Sequence, residues 1–254
     1  MIDVHSHITF GLDDGAKNLN ESIEMAKLAV KEGIKTIIAT PHHGHPLYST
    51  GKEDVVQTVE ILREQLQLRK IPLDILIGQE IRLFEEIDHA LLSKNVLSLN
   101  DTEYVLVELP SSHIPKYVER LFYDLLVQGN IPIIAHPERN AEIVENPDKL
   151  YRLVKNGALS QVTTAAVAGK LGKKIQKLSL QLIEYDLSHL IASDAHNTTN
   201  RSFFWQEALK VIEKKLGSDK LALLETNSVD LISNSPLTKN QPTRIPDRRF
   251  MGIF

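Results

Sequence analysis

The sequence predicts an α/β chain folded as a distorted, TIM-like (β/α) barrel, with its functional site on the face where the strands end. Three observations carry this expectation. Short, near-continuous apolar runs alternate with stretches of helical periodicity along the 254 residues, the pattern of a parallel sheet with helical crossovers. About seven such strands can be read, more than suits half a barrel. Histidines and carboxylates recur at or just past the C-terminal ends of these runs, and a parallel barrel gathers its active-site groups on that face.

The strands are expected near residues 2–5, 35–40, 73–78, 104–108, 131–135, 159–163 and 189–193. The first is Ile2-Asp3-Val4 and ends in His5-Ser6-His7. The second, Ile37-Ile38-Ala39-Thr40, leads to His42. Thr50-x-x-Glu53 reads as a capping box, followed by Val55, Val59, Leu62 and Leu66 on one helical face. Ile75-Leu76-Ile77 then leads to Glu80, and Tyr104 to Val107 leads to Glu108. Pro115 suits the first position of a helix that turns Val118, Leu121 and Leu125 inward. Ile131 to Ala135 leads to His136. Asn146-Pro147 reads as an N-cap and first-turn proline, with Gly157 as the stop. Leu190 to Ser193 leads to Asp194-Ala195-His196. Periodicity fades from Ser233, where Pro236, Pro242 and Pro246 gather with Arg244, Arg248 and Arg249. The barrel is therefore expected over 1–235, and 236–254 as a tail lying over the body or partly disordered.

Composition narrows the function. A net charge of −4 argues against a nucleic-acid surface, which needs a basic patch. No run of 18 apolar residues is present, so no transmembrane helix is expected. The first strand starts at Ile2, which leaves no room for a cleaved leader. Cysteine is absent, which fits a cytoplasmic protein and removes thiol nucleophiles and thiolate ligands from consideration.

The chain has ten histidines. A lone histidine is usually a surface or satisfied core residue, and His89, His113 and His189 are read that way, His189 at the wrong end of its strand. His43 and His45 are read as neighbours of the site or as solvent-exposed. His5, His7, His42, His136 and His196 differ because each sits at a strand end, as do Glu80, Glu108 and Asp194. Carboxylates crowded at one barrel mouth repel each other unless cations compensate. These eight residues exceed what one ion needs and suit two or three ions. Nitrogen and oxygen donors without sulfur point to Mn, Fe or Zn.

Asp13 and Asp14 lie in the first strand-to-helix loop, where an Asp-Gly turn and a role in binding a metal or holding a ligand histidine compete evenly. Arg139, in His136-Pro137-Glu138-Arg139, and Arg201 stand close in sequence to the histidines. Each suits a phosphate bidentately, the bland alternative being a salt bridge to Glu138 or a neighbour.

Taken together, Ile-Asp-Val-His-Ser-His-Ile, Asp-Asp-Gly, Thr-Pro-His, Gly-Gln-Glu-Ile, Val-Glu-Leu, Ala-His-Pro-Glu-Arg and Ala-Ser-Asp-Ala-His-Asn resemble the PHP family (polymerase and histidinol phosphatase). Within it the chain is similar to bacterial protein-tyrosine phosphatases of the CpsB/YwqE type, from residue 1 to about 235. The resemblance implies the PHP fold, a distorted (β/α)7 barrel with a trinuclear site that prefers manganese. It implies phosphotyrosine hydrolysis on bacterial tyrosine kinases that regulate capsular or exopolysaccharide synthesis. By motif position it makes His5, His7, His42, Glu80, Glu108, His136, Asp194 and His196 metal ligands. Arg139 and Arg201 become the phosphate-contacting residues, and Asp14 is grouped with them. Thr163-Thr164 stands where the family would have Asn or Ser and stays unassigned.

The expected chemistry is in-line attack at phosphorus by hydroxide held between metals, with a phenolate leaving group of pKa about 10 that needs little protonation. Rivals remain open: a histidinol-phosphatase-like enzyme on a small molecule, an amidohydrolase, in which a carbamylated lysine often stands where this chain has Glu108, or a metal-stabilised scaffold.

Overall fold

The computed structural model describes residues 1–246. Among the described residues nine strands form, all paired in parallel: β1 (Ile2–Ser6), β2 (Thr36–Ala39), β3 (His42–His43), β4 (Asp74–Ile77), β5 (Glu80–Arg82), β6 (Tyr104–Glu108), β7 (Ile131–Ala135), β8 (Leu159–Thr163) and β9 (Leu190–Ala192). The expected strands 35–40 and 73–78 form as β2 and β4, and each is followed by a short strand that was not expected, β3 and β5. Pro41, which has no N–H to donate to a ladder, separates β2 from β3. Gly78 lies between β4 and β5, where a Cβ would stand 2.9 Å from Ile38 and 3.0 Å from Leu99. Only glycine permits that approach, and the chain restarts as β5.

The ladders run β1-β2-β4 and β3-β5-β6-β7-β8-β9. They meet where β1 reaches the end of β9, through the bridge between Ser6 and Ala195. Two bonds reinforce it: His7 N–H donates to Ala195 O at 2.9 Å, and Asp194 N–H to His5 O at 2.8 Å. The pairing is not one continuous ladder. β4 pairs with β2 and lies beside the 3₁₀ turn Leu99–Asp101, not against β6.

Helices follow the strands, as βα units require: Leu19–Lys31, Lys52–Leu68, Ile87–Leu92, Val118–Val127, Asp148–Lys155, Lys173–Glu184, Trp205–Leu216 and Ser218–Ile232 are among them. Val55, Val59, Leu62 and Leu66 are buried on one face as expected. Their helix is capped differently. Gly51 is the N-cap, because Thr50 is drawn into the body, where its hydroxyl donates to Leu12 O. Pro115 stands ahead of its helix in a turn, with Val118 N–H bonded to its carbonyl. Pro147 is itself the N-cap residue of Asp148–Lys155, while Asn146 Oδ1 accepts from Asp148 N–H at 3.2 Å.

Both faces of the strands are buried, which explains their unbroken apolar character. One core lies between strands and helices. An inner core of Val4, Ile38, Leu106, Ile133, Leu159 and Leu190 is joined by Leu231 and Leu237. Residues 234–246 lie against the body. Tyr104 OH donates to Ser235 O at 2.7 Å and accepts from Leu237 N–H at 3.2 Å. Thr243 N–H donates to Tyr185 O, and Arg244 pairs with Asp148 over the Tyr151 ring. Arg248 and Arg249 lie outside the described residues. Buried Asn227 ties this segment to the body: its Nδ2 donates to His189 O and Thr238 O, and its Oδ1 accepts from Thr238 N–H. Asn227→Ala leaves those groups unpaired and is expected to cost about 2–3 kcal/mol, read from the urea midpoint, with an unchanged midpoint as the contrary result. Among the described residues no helix is long and apolar enough to cross a membrane.

Candidate metal centre

The strand ends bring the expected donors together. His5 lies within β1 and His7 just past its end, and the ladder slips register between Asp3 and Ser6. Both rings therefore turn to the same side, with Nε2 atoms 3.3 Å apart. His136 and Asp194 follow β7 and β9 in left-handed backbone conformations, at φ 32° and 51°. Non-glycine residues held there cost energy and cluster at functional sites.

Donor atoms converge in three groups: His7, Asp14, His42 and His196; His5, His7, Glu80 and Asp194; and His42, Glu80 and Glu108. Glu80 links the last two. Its Oε2 lies 3.4 Å from His5 Nε2, 3.2 Å from His7 Nε2 and 3.0 Å from His42 Nδ1, and its Oε1 lies 2.8 Å from His136 Nε2. Asp194 Oδ1 stands 3.2 Å from both His5 and His7 Nε2. Yet Glu80 Oε2, Asp194 Oδ1 and His42 Nδ1 are buried without a hydrogen bond, and Glu108 Oε2 has only its ion pair with Arg82. Buried polar atoms left so are costly. Their convergence on shared points is what cation coordination satisfies, so these residues fit divalent metal ions.

The protonation equilibria agree. Burial alone would push His5 down, but the Glu80 and Asp194 charges override it and hold it at about 10. His7 is likewise raised well above the usual imidazole value, against burial, by Asp13 foremost. Burial works to raise Glu80 and Asp194 too, and is outweighed, chiefly by His5 and by Arg139 respectively, so both stay well below the carboxylate range. The centre thus demands positive charge, and protons supply it when metal is removed.

Further side chains aim the ligands. Asp13 Oδ2 holds His7 Nδ1 at 2.6 Å and accepts from His42 N–H at 3.0 Å. Gln161 Oε1 on β8 holds His5 Nδ1 at 2.9 Å, and Asp194 O holds His196 Nδ1 at 2.9 Å. Each contact fixes a tautomer and leaves Nε2 for the centre. Of the two loop acids, Asp13 orients a histidine and Asp14 stands among the donors, its Oδ1 3.2 Å from His196 Nε2. The loop packs so tightly that a Cβ at Gly15 would meet His7 O at 2.1 Å, which explains the glycine of Asp-Asp-Gly.

Three guanidinium groups border the donors. Arg139 Nη1 lies 2.5 Å from Asp194 Oδ2. Glu138, its expected alternative partner, instead accepts from Thr163 N–H and Oγ1, which gives Thr163 a structural role. Arg201 reaches Asp14 Oδ2 at 2.6 Å and His196 Nε2 at 2.7 Å. Arg82 Nη1 lies 3.0 Å from Glu108 Oε2. The motifs missed Arg82 and Gln161. Two signals could have found them: Arg82 shares a strand face with Glu80, and Gln161 is a glutamine inside a strand. His89 and His113 lie outside the cluster, on the helix Ile87–Leu92 and in a loop. His189 is buried next to Ser160 beyond the other end of β9, and burial, with Lys239 nearby, lowers it to about 4.

A parallel α/β fold with imidazoles and carboxylates gathered at its strand ends, bordered by arginines, defines a class of protein built to hold divalent cations beside an anion. The chain belongs to the CpsB/CapC family, described as capsular polysaccharide synthesis, whose model matches residues 1–233. It is 47% identical to tyrosine-protein phosphatase YwqE of Bacillus subtilis over 254 residues, covering 100% of both chains. It is 41% identical to a putative tyrosine-protein phosphatase CapC of Staphylococcus aureus, again over 100% of both. A crystal structure from work on YwqE of B. subtilis and CpsB of Streptococcus pneumoniae, described as unique metal-dependent tyrosine phosphatases, superposes with a TM-score of 0.95 at 47% identity. It covers 97% of this chain and 100% of that one. Histidinol phosphate phosphatase from Lactococcus lactis shares the fold alone, at TM-score 0.53 and 14% identity over 84% of this chain and 92% of that one.

Proposed function

We propose that this chain is a metal-dependent protein-tyrosine phosphatase acting on phosphotyrosine of bacterial tyrosine kinases that control capsule or exopolysaccharide synthesis, in the cytoplasm. The convergence of His5, His7, His42, Glu80, Glu108 and Asp194, with buried Glu80, Asp194 and His42 atoms left without a hydrogen bond, carries the reading. Likeness to YwqE over the full length supports the substrate class over a small-molecule phosphatase. His5, His7, His42, Glu80, Glu108, His136, Asp194 and His196 would hold two or three divalent ions, with Asp14 as a further donor. Manganese is the first choice, with iron or zinc as alternatives for this donor set. Such a centre would supply water ionised near neutral pH and positive charge for phosphoryl oxygens.

The chain's own residues do the rest. Asp13 and Gln161 lock His7 and His5 in one orientation, so the centre is preorganised. Arg139 and Arg201, held by the carboxylates of Asp194 and Asp14, border the centre and offer N–H groups to phosphoryl oxygens. Tyrosine's phenolate leaves without a strong acid, unlike a serine alkoxide.

The deciding experiment compares turnover of a phosphotyrosine peptide and of histidinol phosphate by the Mn²⁺-loaded protein and after chelation. Hydrolysis of the peptide that chelation abolishes supports the reading. Preference for histidinol phosphate overturns the substrate class. Arg139→Ala and Arg201→Ala each remove charge-assisted contacts worth about 1.5–3 kcal/mol, so kcat/KM should fall at least about tenfold with metal content retained. Normal kinetics in both variants would make the arginines structural.

A further inference from the structure

We propose that the loop joining β3 to the helix Lys52–Leu68 carries a ring-stacking wall, His45 and Tyr48, that receives the aryl group of a phosphomonoester whose phosphoryl group sits at the metal centre. The inference rests on the phosphatase reading above and adds the element that selects an aromatic substrate. The His45 ring stacks on His42 with centroids 4.8 Å apart and planes 21° apart. Tyr48 lies 5.5 Å from His45 at 19° and 6.3 Å from His42 at 10°. The three rings are thus nearly parallel and start from a donor of the centre. These separations fall in the range of favourable aromatic pairs, about 4.5–7 Å.

Neither His45 nor Tyr48 joins the apolar core. Both are half-buried, so each covers part of the loop and keeps surface for a ligand. His42 is already covered by His45, and shielding it does not account for a tyrosine beyond. The loop is also held in place. Thr50 N–H donates to His42 O, and Thr50 O accepts from His43 Nδ1 at 2.9 Å and from Gln79 Nε2 at 2.8 Å. Tyr48 N–H donates to His45 O at 3.1 Å. A loop whose two ends are bonded together presents its side chains in one arrangement, which lowers the entropic cost of binding.

The other side chains bordering the donors, Arg82, Arg139 and Arg201, are cationic and suit phosphoryl oxygens. An aryl phosphate carries its ring one ester oxygen beyond phosphorus, so the ring of a bound substrate falls beside the rim. Stacking there favours a phenyl ring and gives nothing to the alkyl group of a serine or threonine phosphate.

Two non-hydrolysable probes with the same head group, phenylphosphonate and methylphosphonate, test this by titration calorimetry on the Mn²⁺-loaded protein. The unaltered protein should bind the phenyl probe roughly three- to tenfold more tightly. Tyr48→Ala should erase that preference and Tyr48→Phe should keep it, since the ring and not the hydroxyl stacks. Leu47→Ala, at the exposed loop tip, should also keep it. The ratio of kcat/KM for a phosphotyrosine peptide over β-glycerophosphate should fall by the same factor in Tyr48→Ala. A phenyl preference that survives Tyr48→Ala, or equal losses for both probes, overturns the wall. If neither probe binds the unaltered protein, the phosphoryl site itself is at fault, and the wall falls with the phosphatase reading.

Discussion

Glu80→Ala is expected to abolish turnover and strip metal from the chain in one step. Glu80 is fully buried, and its two oxygens lie within 3.4 Å of His5, His7, His42 and His136. Among the described residues no other carboxylate touches so many of the donor histidines. Losing an outer partner of a ligand already costs about 10–100-fold in affinity or activity, so losing a shared donor should exceed a hundredfold in kcat. Metal content, by elemental analysis of protein purified without chelator, should fall by at least one ion per chain. Glu80→Gln should behave similarly, because it keeps the volume and loses the charge. Glu108→Ala should lose less metal, since Glu108 joins a single donor group and shares Arg82. Full metal content and activity in Glu80→Ala would show that the convergence is an ion-pair network, not a coordination site.

The second large effect is a stability profile that metal inverts. In chelated protein His5 titrates at about 10 and His7 well above 6.5, both raised on folding against the desolvation of burial. A raised imidazole contributes stability that is complete below its unfolded pKa and lost as pH rises through the folded one. Stability of the chelated protein should therefore decline from about pH 7 toward pH 10, by up to about 1.4 kcal/mol per unit for each group. Other buried groups act on the acid side. Glu80 and Asp194, held well below the carboxylate range, Asp3, raised by burial to about 6, and His189, lowered by burial to about 4, have largely finished titrating by neutral pH. Coordination would require these imidazoles deprotonated, so added Mn²⁺ should bind more tightly as pH rises and protons cease to compete. The gap in melting temperature between loaded and chelated protein should widen from pH 7 to pH 9. A chelated protein whose melting temperature is flat over that interval would rule out carboxylate-driven protonation of this pair.

The strand ends could be read from the chain because a buried parallel strand is an apolar run, and the polar residue that stops it is visible in one dimension. That is why His136 after Ile131–Ala135 and Asp194 just past Leu190–Ala192 were legible as facing the same end of the sheet, where both approach His5. Local signals did worse where tertiary contacts competed for the same side chain. Thr50 fits a capping box by spacing, but Leu12 O takes its hydroxyl and Gln79 its carbonyl. The short strands β3 and β5, past Pro41 and Gly78, lie beyond the apolar runs that mark β2 and β4 and have no apolar run of their own to announce them.

Sequence by itself determined the fold class, the face that carries the chemistry and the residue types gathered there, because period, strand length and the residues that end strands are properties of neighbours along the chain. Tertiary structure alone decided how the donors are shared. Asp13 orients His7 while Asp14 turns to His196, Arg139 takes Asp194 and leaves Glu138 to Thr163, and Gln161 meets His5 from 156 residues away. Those pairings depend on distances of a few ångströms between elements brought together by packing both faces of the sheet, and no spacing along the chain encodes them.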